Sequence, residues 1–97
     1  MSILHTVNSS PLQTLALQQC LTLLGDHDSL LLIEDGVIAT HALHPYLETL
    51  QQLASQGRLM VLGPDLQARG IDNEIGKKCS YADFVNLVIN HKSQMTW

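Results

Sequence analysis

The run Ser29–Glu34 (SLLLIE) limits the possible folds more than any other segment. A half-buried strand alternates apolar and polar side chains, whereas Leu30, Leu31, Leu32 and Ile33 offer no polar face at all. Such a strand belongs in the middle of a sheet covered on both sides, and that usually means a parallel sheet. Parallel neighbours need crossover connections, and the flanking sequence reads as alternating strands and helices.

Ile3–Val7 reads as a first strand, closed by Asn8-Ser9-Ser10-Pro11. Ser10 at an N-cap with Pro11 in the first helical position predicts a helix from Pro11 to Leu24, stopped by Gly25. After Ser29–Glu34, Asp35-Gly36 breaks the strand and Val37–His41 suits a short helical turn. Tyr46–Ser55 carries Leu47, Leu50 and Leu53 at helical spacing and ends before Gly57. Leu59–Leu62 is a third strand, followed by Gly63-Pro64, a helical turn over Pro64–Arg69, and Gly70. Glu74–Ser80 reads as a short edge strand. Tyr81–His91 is a final helix with Phe84, Val85, Val88 and Ile89 on one side. The expected fold class is therefore α/β, a single small domain over residues 1–97 with a mostly parallel sheet flanked by helices.

A chain of 97 residues and 10.7 kDa folds to ~5,500 Å² of surface from ~15,500 Å² unfolded, enough for one modest core. Only 14% of residues are charged, against roughly 25% in ordinary soluble domains. So little charge on so small a body suggests that another subunit covers part of the surface. The net charge is −4. Arg58, Arg69, Lys77, Lys78 and Lys92 are scattered, so no cationic footprint for phosphates forms. Tyr46, Tyr81, Phe84 and Trp97 are too dispersed for a base-stacking platform. Direct nucleic-acid binding is not expected. No segment has the roughly 18 apolar residues of a membrane span, and the opening MSILHTVNSSP lacks the basic start of a signal peptide. Cys20 and Cys79 form neither a disulfide framework nor a CxxC pair, so the expected setting is the cytoplasm with both thiols reduced.

Residues able to carry chemistry are few. Ligands of parallel sheets bind at the carboxyl ends of the strands, here Asn8-Ser9-Ser10, Glu34-Asp35-Gly36 and Gly63-Pro64-Asp65. None of these loops has a phosphate-binding glycine motif, so no nucleotide cofactor is expected. Asn8–Ser10 reads as turn and cap chemistry rather than an anion site. On a helical wheel Cys20 falls in the middle of the apolar arc of the first helix, where a cysteine is a small buried hydrophobe unless a partner subunit meets that face. Cys79 lies beside Lys77 and Lys78. Strand alternation places Lys77, not Lys78, on the thiol's side, but an incidental cysteine is the simpler reading. His41 and His44 lack a third metal ligand, and no metal site is expected. His5 reads as a hydrogen-bonded core residue, and Glu34 and Asp35 as a solvated turn rather than an acid–base pair.

The segments LHTVNSSP, LLLIEDGV, VLGPDLQARGI and DFVNLVINHKSQMTW together resemble the TusB/DsrH family, in order and over nearly the whole chain. DLQARG and SQMTW are the most specific pieces. The resemblance implies a DsrE-like (flavodoxin-like) fold and a subunit of a cytoplasmic sulfurtransferase complex. In one branch that complex is a heterohexamer with TusC-like and TusD-like paralogous subunits. It takes persulfide sulfur from a TusA-like donor and passes it to a TusE-like acceptor for 2-thiolation of the tRNA wobble uridine. The sulfur-carrying cysteine is then the TusD-like subunit's, and this chain serves assembly without catalysing on its own. In the other branch, a DsrEFH complex of sulfur oxidation, the DsrH-type subunit has a cysteine in its first helix. The LQQC context makes Cys20 the candidate catalytic, sulfur-binding thiol under that reading. Asp65, Arg69 and Ser93–Trp97 look like structural signature residues.

Overall fold

A computed structural model describes residues 2–41, 44–72 and 75–97. Five strands lie parallel in one sheet: β1 (Ile3–Val7), β2 (Ser29–Leu32), β3 (Leu59–Leu62), β4 (Lys77–Cys79) and β5 (Ser93–Thr96), in the order β4-β3-β2-β1-β5. The SLLLIE run is the central strand, and Leu30, Leu31 and Leu32 are completely buried. Its register aligns Leu32 with Val7 of β1 and with Val61 of β3.

The strand order dictates where the helices go. From β1 to β4 the sheet grows in one direction, and β5 reverses to the far side of β1. Because crossovers between parallel strands are right-handed, the first three connections stack on one face and the fourth on the other. The first face accordingly carries α1 (Ala16–Leu23), a 3₁₀ segment (Glu34–Thr40), α2 (Leu47–Ser55) and α3 (Gly63–Ala68). Its core joins Leu17, Cys20, Val37, Leu50, Leu53 and Leu66 to Val7, Leu30, Leu32, Leu59 and Val61. The second face has α4 (Tyr81–Asn90) alone, with Phe84 and Leu87 packed against Leu4, Leu31, Met60 and Cys79. The accessible surface is 5492 Å², the value the chain length predicts.

Several boundaries differ from the sequence reading. The helix expected from Pro11 starts at Ala16. The Ser10 hydroxyl takes the N–H of Leu12 and its carbonyl takes those of Gln13 and Thr14, closing a separate turn over 11–14. Thr14 then accepts the Ala16 N–H and opens α1. A serine that bonds its own near backbone competes with the helix rather than capping it. The strand from Ser29 stops at Leu32, and the expected turn at Val37–His41 is a 3₁₀ segment that begins at Glu34. Of the edge strand expected over Glu74–Ser80, Lys77–Cys79 is strand, and Glu74 lies outside the described residues. The helix read as Tyr81–His91 ends at Asn90 and starts with a capping box, in which Ser80 and Asp83 exchange side-chain and backbone hydrogen bonds. The fifth strand, Ser93–Thr96, had no counterpart in the sequence reading. All four of its residues are exposed and only Met95 is apolar, so it shows neither apolar alternation nor an apolar run.

Candidate functional site

The carboxyl edge of the sheet brings together the three loops singled out from sequence, and they fill one another. Gly36 lies against the end of β1 so closely that a Cβ there would sit 2.1 Å from the Val7 carbonyl oxygen. Only glycine fits such a backbone approach. Glu34 adopts φ 50°, a conformation costly for a residue with a side chain. Its N–H is held at 2.7 Å by the Asp65 carboxylate at the start of α3. Arg69 directs Nε and Nη2 to Asp35 Oδ1 at 3.0 and 2.8 Å and Nη1 to the Asp65 carbonyl at 3.1 Å. Asp65 and Arg69 of DLQARG thus clamp the loop after β2 to the loop after β3. Asp35 is committed to Arg69 while Glu34 is exposed, so the two acids do not form an acid–base pair.

Both thiols lie in the interior. Cys20 is 0% exposed among Leu17, Leu30 and their neighbours. Burial, reinforced by the Asp28 carboxylate, pushes its thiol up to about 12. At neutral pH it is a neutral hydrophobe, as the helical wheel indicates, and no hydrogen-bonding base stands against it among the described residues. Cys79 is 4% exposed, on the α4 side of the sheet. Its S–H points at the Lys77 carbonyl, 3.6 Å away. Burial and the Asp83 charge raise its pKa, and Lys77 only partly offsets them.

The histidines divide sharply. His5 is buried on β1 and belongs to a chain of three side chains. The Trp97 indole N–H donates to His5 Nδ1 at 3.0 Å, and His5 Nε2 lies 2.9 Å from Asp28 Oδ2. An indole can only donate, so Nδ1 must accept, and the proton on Nε2 goes to the carboxylate. The hydrogen bonding therefore assigns the neutral Nε2–H tautomer. Asp28 also accepts the N–H groups of Ile3 and Gly25, both at 2.9 Å. Burial raises its pKa, but these bonds outweigh burial and hold it below the usual carboxylate range. His44 spends both ring nitrogens locally, on the Ala39 carbonyl and the Tyr46 N–H. Among the described residues no three His, Cys, Asp or Glu side chains gather as metal ligands, and no helix is long and apolar enough to cross a membrane.

A family model described as "DsrH like protein" matches residues 9–94. The chain belongs to the TusB/DsrH family. It is 38% identical to Protein TusB of Enterobacter sp. (strain 638) and to that of Cronobacter sakazakii (strain ATCC BAA-894). It is 39% identical to Protein TusB of Escherichia coli O139:H28. Each comparison covers 98% of this chain and all of the relative. The two motifs that most resemble this TusB/DsrH family hold loops together: DLQARG builds the Asp65–Arg69 clamp, and SQMTW supplies β5 and the Trp97 donor. Sequence reasoning missed Asp28 and Arg58. Arg58 donates to the carbonyls of Asp28 and Gly25 and so ties the start of β3 to the turn before β2. Asp28 had one visible signal, an acid directly before a fully apolar strand, whereas nothing local marks Arg58.

Proposed function

We propose that this TusB/DsrH chain is a non-catalytic assembly subunit of a sulfur-relay complex that serves 2-thiolation of the tRNA wobble uridine in the cytoplasm. Its partners are TusC-like and TusD-like paralogous subunits in a heterohexamer. A TusA-like donor and a TusE-like acceptor stand on either side of the relay. The observation that carries this reading is the state of the thiols. A persulfide carrier needs a reachable thiolate of suitable nucleophilicity, and Cys20 is fully buried with its pKa near 12. The outer surface of α1 and of the turn that leads into it adds support, because Leu12, Leu15 and Leu23 are exposed and no charged residue occurs from Pro11 to Gly25.

Co-expression with the two paralogues tests the reading: a stable complex containing all three is expected, and a monomer in the presence of both overturns it. Mass spectrometry after incubation with a persulfide donor separates the two branches. The expected result is sulfur on the partner's cysteine and none on this chain. A one-sulfur adduct on Cys20 would instead favour the DsrH-type role in sulfur oxidation.

A further inference from the structure

Where β5 closes on β1, the hydrogen bonds make the docking of Trp97 and a proton on His5 mutually exclusive. His5 is 1% exposed, and its Nε2–H is committed to Asp28 Oδ2 at 2.9 Å. The ring position left for a second proton is Nδ1, which accepts the Trp97 indole N–H at 3.0 Å. An imidazolium carries a donor on both nitrogens, and an indole can only donate. Two N–H groups would then oppose each other in a buried site, each without an acceptor. A proton can therefore enter at Nδ1 only when the indole leaves.

The surroundings decide which of its two partners His5 keeps. Burial opposes the charge on Asp28, in the turn before β2, but the bonds from His5, Gly25 and Ile3 outweigh it and keep the carboxylate ionised in mild acid. Arg58 braces the same turn through the carbonyls of Asp28 and Gly25. On α1 the titratable neighbour of Asp28 is Cys20, whose thiol burial keeps neutral. An imidazolium would thus face a fixed carboxylate that attracts it and a half-buried indole that does not.

The strand beyond offers little resistance to opening. All four residues of β5 are exposed. Besides the ladder with β1 and a long 3.5 Å contact between the Thr6 and Thr96 hydroxyls, its far end is fixed by Trp97, through the indole and through a backbone N–H on the Thr6 carbonyl at 2.9 Å. The near end is tied separately, by the Lys92 N–H on the Ser2 carbonyl at 3.0 Å. His91, just before the strand, bonds the Leu87 carbonyl and the Ser29 hydroxyl. Both of these can accept, so a second proton on His91 breaks neither bond.

We infer that His5 and Trp97 form a proton-released latch: neutral His5 holds Trp97 and the far end of β5 on the sheet, and protonation of His5 releases them while Asp28 retains the imidazolium. The closed form binds one proton fewer than the open form. Falling pH therefore favours opening, by up to about tenfold per pH unit once the open form takes up its proton. The latch needs neither sulfur chemistry nor a partner subunit, so it stands or falls apart from the proposed assembly role.

Trp97 is the single tryptophan of the chain, so its fluorescence reads the latch directly. Between about pH 8 and pH 5, where imidazoles titrate, emission of the full chain should shift to the red and become more open to acrylamide quenching, while far-UV circular dichroism stays native. Exchange of the Trp97 amide, corrected for the direct effect of pH, should speed up about tenfold or more, with the β2–β3 ladder unchanged. His5→Gln keeps a donor for Asp28 and an acceptor for the indole but takes no proton, and it should abolish the transition. His91→Gln should retain it. So should His44→Gln, although His44 also accepts from an N–H, that of Tyr46 at the entry to α2. Trp97→Phe already lacks the donor, so exchange in β5 should be fast at both ends of the pH range, a readout that stands even if His5→Gln fails to fold. Constant emission and exchange from pH 8 to pH 5 would overturn the inference. So would a transition that survives in His5→Gln, vanishes in His91→Gln, or coincides with loss of the circular dichroism signal.

Discussion

At the scale of single residues, Cys20 and Asp28 show how position determines chemistry. Both thiols are buried, so Ellman's reagent at pH 8 should label neither quickly in the native protein and both after denaturation. A fast native reaction at Cys20 would contradict its place in the core. Asp28 makes stability depend on acid. Its folded pKa lies below the unfolded value, so its contribution is complete above the ordinary carboxylate range and is lost as pH falls through the folded pKa. Asp28→Asn should cost ~2–3 kcal/mol near neutrality, typical of hydrogen bonds to a buried charge. The variant should also have a shallower acid limb in urea denaturation followed against pH. Gly36→Ala forces a methyl into the Val7 carbonyl and should cost ~3 kcal/mol, as overpacking does, with the midpoint of urea unfolding as the readout.

Elements succeed or fail in sequence reading according to where their stabilisation comes from. The strands β1, β2 and β3 and the helices α2 and α4 are marked by their own apolar patterns, and the structure places them within a few residues of expectation. The start of α1 differs from the sequence reading because Ser10-Pro11 suits a helix N-cap and a separate turn equally well, and only the hydrogen bonds of Ser10 and Thr14 decide between them. β5 left no pattern because it draws little from burial of its own side chains. It draws instead on the ladder with β1 and on the Trp97–His5 bond, both made with residues far away in sequence. Trp97→Phe keeps a ring over His5 but removes the donor. Hydrogen exchange should then speed up in β5 while the β2–β3 ladder stays protected. For the candidate site, the loops were legible because parallel sheets present them at one edge. Their mutual closure was not, since it depends on Arg69 reaching Asp35 across 34 positions. That clamp is partly solvent-exposed, so Arg69→Ala should cost under ~1 kcal/mol in global stability.

On the scale of the whole molecule, the unequal covering of the sheet is the informative feature. Four helical segments seal one face, while a single helix with an apolar outer stripe covers the other. Under the proposed assembly role such surfaces would be buried against other subunits, and the chain's apparent stability should then rise with partner concentration. Thermal unfolding of the chain alone and in the presence of both paralogues checks this, with a higher midpoint expected in the complex.

The pairing of β1 with β5 also sets a schedule for folding. Thr6 meets Thr96 across 90 positions, a loop closure that cannot occur until the whole intervening segment exists. Synthesis proceeds at ~5–20 residues per second, so the outer edge of β1 stays unpaired for seconds after it leaves the ribosome. During that interval it is an open template for strand addition, and any chaperone that attends this protein should be needed then, before Trp97 arrives to close the sheet.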